Sequence, residues 1–180
     1  MRGPGEPFKQ LAATLFVFSA MAIAGAAEAQ VVAFGGSNVA GTSVGQGEAY
    51  PAQLEALLRA KGYDVSVANA GRYASTTSDM LSRLDSAIPP GTTVVILETS
   101  GPLLNNDING ISPEQGRSDV AAMTAALKAR GIKVIAEPNT GISPRYRRDD
   151  GKYLTLEGHR LVAARLLPQV IEALGKPPPR

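Results

Sequence analysis

The chain contains no cysteine and no tryptophan, a single histidine, and few aromatic residues of any kind (5%). Without cysteine, the protein can form neither a disulfide framework nor a thiolate metal site. One imidazole, His159, cannot build the multi-histidine cages that commonly hold zinc. The formal net charge of +2 is small and no basic block is interleaved with aromatic residues, so nothing indicates nucleic-acid binding. We therefore expect no metal and no nucleic-acid partner.

The length and the apolar content limit the architecture. With 180 residues, the chain is long enough for one domain with a substantial core, and too short for two comfortable ones. The hydrophobic fraction of 44% argues against a disordered chain. No internal repeat is visible. The sequence therefore predicts a single folded domain over residues 30–180.

Residues 1–29 have the composition of a cleavable export signal. Two basic residues precede an apolar stretch, residues 11–24, which only two hydroxyl side chains interrupt. Ala27-Glu28-Ala29 then places small residues at the two positions that a signal peptidase reads. We expect cleavage before Gln30 and export to the periplasm or the medium, with no stable membrane span afterwards. A membrane anchor is the alternative, although the stretch is shorter than the roughly 20 residues of a spanning helix.

Short apolar runs alternate with segments of helical periodicity after the signal. Four runs read as strands: Val31 to Phe34; Val65, Val67 and Ala68, with an end at Asn69-Ala70-Gly71; Thr93 to Thr99; and Ile132 to Ala136. Helical spacing of apolar residues follows each of them, and Thr155 is the expected N-cap of the last helix. This alternation predicts an α/β fold, a three-layer αβα sandwich of flavodoxin-like type with a mostly parallel sheet of four to five strands. Residues 100–117, rich in Gly, Asn, Asp and Pro, are predicted to form a loop.

The loops that follow the strands are the expected functional loops, because open α/β sheets bind ligands at the carboxyl ends of their strands. Ser37 lies on a sharp Gly35-Gly36 turn directly after the first strand. The other loops of this kind lie near Gly71, near Gly101, and before Thr155. A phosphate-binding loop over residues 35–43, as in a flavodoxin-type binding module, is a further hypothesis for the first turn.

These loops resemble those of the SGNH (GDSL-type) hydrolases, in particular the small bacterial lysophospholipase and thioesterase branch. Gly35-Gly36-Ser37-Asn38 stands where the family has Gly-Asp-Ser-Leu, and residues 47–71, GEAYPAQLEALLRAKGYDVSVANAG, look like its first helix and second strand. Residues 150–153, DGKY, occupy the family's Asp-x-x-His block before the last helix. The resemblance covers nearly all of the chain after residue 30.

The resemblance implies a serine hydrolase that acts on small acyl esters or thioesters, such as a lysophospholipid, without a cofactor. Ser37 takes the nucleophile position and Asp150 the position of the orienting acid. The oxyanion hole is then expected to use the backbone N–H groups of Ser37 and Gly71. However, Tyr153 occupies the histidine position, and Pro102 occupies the position of the asparagine that donates to the oxyanion.

Both departures affect the chemistry directly. A serine hydroxyl attacks an ester only if a nearby base takes its proton, and an imidazole suits that task. A tyrosine has a reference pKa near 10, so it is neutral at pH 7 and accepts a proton poorly. Two interpretations therefore stay open: an exported ester hydrolase, or a catalytically impaired pseudo-hydrolase that binds a ligand or a partner.

Other residues offer possible compensation. His159, six residues after Tyr153, is either a substitute base or a histidine that packs near the start of the last helix or faces solvent. Asn105 or Asn106 can supply the missing oxyanion donor if the loop turns back, and otherwise forms a solvated turn. Three arginines between residues 145 and 148 form either a solvated loop face or a contact for an anionic head group.

Overall fold

The computed structural model describes residues 31–137 and 141–176. The predicted signal peptide and its cleavage site lie outside these residues. Within them, four strands form one parallel sheet: β1 (Val31–Gly35), β2 (Val67–Gly71), β3 (Val94–Leu97) and β4 (Lys133–Ala136). The predicted parallel sheet is confirmed.

The strand order is β2-β1-β3-β4, which places β1 in the interior of the sheet. Val31 pairs with Val67 on one side and with Val94 on the other, so three strands begin in register. All five residues of β1 are buried, as expected of a strand covered on both faces. The carboxyl ends of β1, β2 and β3 consequently lie side by side at one edge of the sheet.

Seven helices among the described residues complete the fold. They are α1 (Ser37–Ala40), α2 (Tyr50–Ala60), α3 (Thr77–Ser82), α4 (Leu84–Ala87), α5 (Ser100–Ile108), α6 (Pro113–Ala129) and α7 (Leu156–Leu174). Short 3-10 turns cover Gln46–Glu48 and Pro144–Tyr146. Thr155 caps α7 by accepting from the Gly158 N–H, as predicted.

Alternate residues of β1 separate two apolar cores. Val31 and Ala33 pack on one face with buried side chains of α2 and α7, including Leu54 and Leu166. Val32 and Phe34 pack on the other face with side chains of α3, α4 and α6: Met80, Leu84, Met123 and Leu127. Helices thus cover both faces of the sheet, which confirms the three-layer αβα prediction.

The prediction of a loop over residues 100–117 is wrong, because α5 occupies half of it and α6 begins at Pro113. Pro102 lies in the first turn of α5, where its missing N–H breaks no intrahelical hydrogen bond. Asn106 then anchors the helix: its side chain accepts from the Thr77 N–H at 3.0 Å and donates to Thr77 Oγ1 at 2.8 Å. Contacts distant in sequence therefore stabilise a helix that local composition disfavours.

The start of α3 is also capped by a threonine side chain. Thr76 is the cap: its side chain accepts from the Asp79 N–H, and the Asp79 carboxylate accepts from the Thr76 N–H. This reciprocal capping box satisfies two backbone donors at the helix start. Of the helices in the described ranges, none combines the length and apolar content needed to cross a membrane.

Candidate functional site

The site begins at the turn between β1 and α1. Gly35 must be glycine, because a Cβ there would lie 2.6 Å from side-chain atoms of both Glu98 and Val39. The Gly36 N–H donates to Glu98 Oε2 at 2.7 Å. Ser37 follows as the first residue of α1, at the carboxyl edge of the sheet. The close packing behind the turn fixes the backbone that presents the serine.

Glu98 joins this turn to the loop after β3. Its carboxylate is fully buried and also accepts from the Gly101 N–H at 3.1 Å. Burial raises the pKa of Glu98, while the hydrogen bonds from Gly36 and Gly101 act in the opposite direction. The sequence assigned no function to Glu98, although a charged residue ending an otherwise apolar strand was the available signal.

The backbone N–H that faces Ser37 belongs to Ala74, not to Gly71. The Ala74 N–H donates to Ser37 Oγ at 3.3 Å. The Gly71 N–H instead donates to Asn69 Oδ1 at 3.0 Å, and a Cβ on Gly71 would overlap the backbone of Ala40. Gly71 therefore permits close packing of α1 on β2, and its expected role as an oxyanion donor does not fit this geometry.

Ala74 adopts a left-handed backbone conformation, with φ at +53°, which is unfavourable for a residue with a Cβ. We predict that Ala74→Gly raises the free energy of unfolding by about 0.5–1 kcal/mol, because glycine adopts this conformation without steric cost. Urea unfolding measures the change. Ala125→Gly, at an exposed position inside α6, is the matched control and should lower stability by about 1 kcal/mol. Equal losses in both variants would contradict strain at Ala74.

The block of Asp150 and Tyr153 forms a tight turn opposite Ser37. Asp150 Oδ1 accepts from the N–H groups of Lys152 (2.8 Å) and Tyr153 (3.3 Å). The hydrogen bond from Lys152 is the main cause that lowers the pKa of Asp150, which is therefore ionised near neutral pH. Burial, followed by a hydrogen bond with Tyr73, raises the pKa of Tyr153, so its phenol is neutral there. Asp150 thus holds the backbone at position 153, and the side chain at that position is a neutral phenol rather than a base.

Asn38 connects this block to the serine turn. Its buried Oδ1 accepts from the Leu154 N–H at 3.1 Å. Ser43, which also follows β1, donates from its Oγ to the Leu154 carbonyl at 2.7 Å. These two contacts hold the loop before α7 against the residues that follow β1. The sequence pattern did not single out Asn38.

Ser37 and Tyr153 line the same small cleft, which has a volume of about 60 Å³. The remaining lining residues are Asn38, Glu98, Gly101, Leu104, Asn105 and Lys152. Residues from the loops after β1 and β3 and from the loop before α7 therefore line one cleft. Asp150 supports the Tyr153 turn without lining the cleft itself.

His159 lies in the core rather than in this cleft. It is 0% exposed, and its ring stacks on that of Tyr50 with the centroids 6.5 Å apart. Nδ1 accepts from the Tyr50 N–H at 3.2 Å, and Nε2 is buried without a hydrogen-bond partner. Burial lowers the pKa of His159 to about 4. This geometry does not fit the role of a substitute base, and the packed alternative describes the residue.

The two asparagines of α5 have different surroundings. Asn106 is 2% exposed, and its amide is committed to Thr77, so it is not a donor for the cleft. Asn105 lines the cleft, and its Nδ2 donates one hydrogen bond to the Ser75 carbonyl at 2.8 Å. An amide nitrogen carries two hydrogens. Of the two candidates, Asn105 is therefore the one positioned to donate toward a ligand beside Ser37.

Known proteins similar to this chain include several esterases. The chain is 29% identical over 127 residues to esterase TesA of Pseudomonas aeruginosa, and the match covers 67% of this chain. It spans 61% of the length of that relative. No protein-family model matches the chain.

Solved structures of esterases share the fold. AlinE4, an SGNH-hydrolase family esterase, is 27% identical, with a TM-score of 0.54 over 81% of this chain and 72% of that one. The psychrotrophic esterase EstA from Pseudoalteromonas sp. has a TM-score of 0.65 over 81% of this chain and 98% of that one. At 14% identity, the likeness to EstA concerns the fold alone.

Proposed function

Because this chain belongs to the SGNH hydrolase family, we propose that its Ser37 cleft binds small acyl esters and hydrolyses them only slowly. The observation that carries the proposal is the phenol of Tyr153 beside Ser37, with the chain's single imidazole buried elsewhere. The serine then has a hydroxyl and a neighbouring N–H, but neither the phenol of Tyr153 nor the buried imidazole of His159 is placed to take its proton at neutral pH.

The expected loss of rate follows from the chemistry of acyl transfer. Removing a member of a serine triad costs several powers of ten, while the oxyanion hole and binding retain a residual on the order of 10³ over water. The absence of an amide at Pro102 removes a further oxyanion donor, unless Asn105 replaces it, at a cost of roughly 10² to 10³. With the triad base and one oxyanion donor missing, we expect a protein that binds acyl esters and hydrolyses them slowly.

The remaining parts of the proposal concern location and ligand. We propose that the chain is exported to the periplasm or the medium after cleavage before Gln30. The ligand is a small acyl ester, thioester or similar lipid-like molecule, and its hydrolysis would require no cofactor. The small volume of the cleft, about 60 Å³, supports a short acyl group beside Ser37.

A second candidate function is an active esterase, favoured by the contact between Ser37 Oγ and the Ala74 N–H. A donor at this distance can turn to a developing oxyanion once the hydroxyl has attacked. Asn105 can supply a second donor from across the cleft.

Hydrolysis of p-nitrophenyl butyrate by the wild type and by Ser37→Ala distinguishes the two candidates. We expect the two kcat/KM values to lie within about tenfold of each other, because the serine lacks a base. Chemical-shift titration with methyl butyrate should still show saturable binding at the cleft. A wild-type value about 10³-fold above that of Ser37→Ala would establish the active esterase instead.

A further inference from the structure

A second, larger cleft of about 250 Å³ adjoins the Ser37 cleft. The two share four lining residues, Asn38, Gly101, Leu104 and Lys152. Ser100, Arg147 and Gly151 complete the lining of the second cleft. A ligand with an ester at Ser37 therefore has room to extend in this direction.

The titratable side chains that line the second cleft are both cations. Lys152 and Arg147 lie there, and no described acidic side chain does. Arg147 also acts on the buried carboxyl groups of Glu98 and Glu137, where its positive charge lowers both pKa values against a larger effect of burial. Part of its charge is thus already balanced by these two carboxyl groups, of which Glu98 lines the Ser37 cleft.

Lys152 differs from Arg147 in its surroundings. No carboxylate within the described residues forms an ion pair with its ammonium group, although Asp150 lies close enough for the lysine charge to lower its pKa. Asp150 Oδ1 is turned toward backbone N–H groups of its own loop. An ammonium group at the junction of two clefts, without a carboxylate partner, favours an anionic group on the bound molecule.

We infer that the ligand of this cleft carries a carboxylate or phosphate group, which Lys152 binds while the ester lies beside Ser37. This inference rests on the proposed binding of small acyl esters and specifies their class. The anionic group lies in the 250 Å³ cleft, and the short acyl or alkoxy part lies near Tyr153. Lys152 is then the residue that determines selectivity for charge.

Chemical-shift titration of the wild-type protein with matched esters tests the inference. Monomethyl succinate carries the carboxylate, 2-acetoxyethyl phosphate carries the phosphate, and methyl butyrate and 2-acetoxyethanol are their neutral counterparts. At low salt, we expect at least one anionic ester to bind about tenfold more tightly than its counterpart. The ratio should decrease at 1 M salt, where the screening length falls to about 3 Å.

Lys152→Met removes the charge and retains the length of the side chain. We expect it to reduce the ratio of anionic to neutral affinity, measured within the variant itself, to within about twofold. Lys61→Met is the control. Lys61 is exposed just after the end of α2, on the side of the sheet where the strands begin, away from both clefts. A wild type without charge preference, or a preference that Lys152→Met retains, would overturn this inference alone. Failure of all four esters to bind would overturn the proposed function as well.

Discussion

Replacing Tyr153 with histidine is expected to raise kcat/KM for p-nitrophenyl butyrate by about 10²- to 10⁴-fold, the usual contribution of a positioned general base. The turn is already formed, because Asp150 Oδ1 accepts from the N–H of residue 153, and Tyr153 lines the cleft beside Ser37. An imidazole there has an ordinary pKa near 6.5 and an ionised carboxylate three residues away. Steady-state kinetics at pH 7.5 measures the gain.

Two controls make the interpretation of the gain specific. Tyr153→Phe removes the hydroxyl without adding a base, so it should leave kcat/KM within about threefold of the wild type. Combining Tyr153→His with Ser37→Ala should abolish the gain, because the imidazole then has no hydroxyl to activate. A gain that survives Ser37→Ala would arise from the imidazole acting on its own and would contradict the proposed site.

Stability should decrease in acid because of His159. Its folded-state pKa of about 4 lies below the value near 6.5 expected for the unfolded chain, so the folded state binds fewer protons between these values. The stabilisation is fully present above about pH 6.5 and is lost as the pH falls toward about 4. The difference is on the order of 3–4 kcal/mol, because each pKa unit corresponds to about 1.4 kcal/mol.

Because the chain has a single histidine, its imidazole signals in a proton NMR spectrum belong to His159. The imidazole proton signals of His159 should show no titration between pH 8 and 5 in the folded protein. Urea unfolding should be compared at several pH values for the wild type and for His159→Asn. Glu98 and Glu137, whose pKa values are raised, are present in both proteins, so their contribution cancels in the stability difference. The stability difference between the two proteins should narrow as the pH falls. Titration near pH 6.5 would show an exposed imidazole and contradict the packing against Tyr50.

The fold was largely predictable, because its signals are local. Apolar β-branched runs predicted the buried strands, and Thr155 predicted the start of α7. α5 was missed because its sequence is unfavourable for a helix, and the hydrogen bonds of Asn106 to Thr77, 29 residues away, stabilise it. Local propensity carries no information about such a partner.

The candidate site was predictable only in part for the same reason. Ser37 and Tyr153 follow from their positions after strands and before the last helix, and the structure places both at one cleft. The Ala74 N–H was missed, because a backbone donor has no signature in residue identity and an alanine does not indicate a left-handed conformation. The burial of His159 depends on how α7 packs against α2, which a lone histidine on a helix does not reveal.

Covalent labelling with a phosphonate ester tests most directly whether Ser37 lacks a base. Such reagents react with an activated serine, and intact-protein mass spectrometry detects the adduct. We predict that the wild type remains unlabelled during the time in which Tyr153→His acquires one adduct on Ser37. Stoichiometric labelling of Ser37 in the wild type, at the rate of the Tyr153→His variant, would contradict the proposal that Tyr153 leaves the serine without a base.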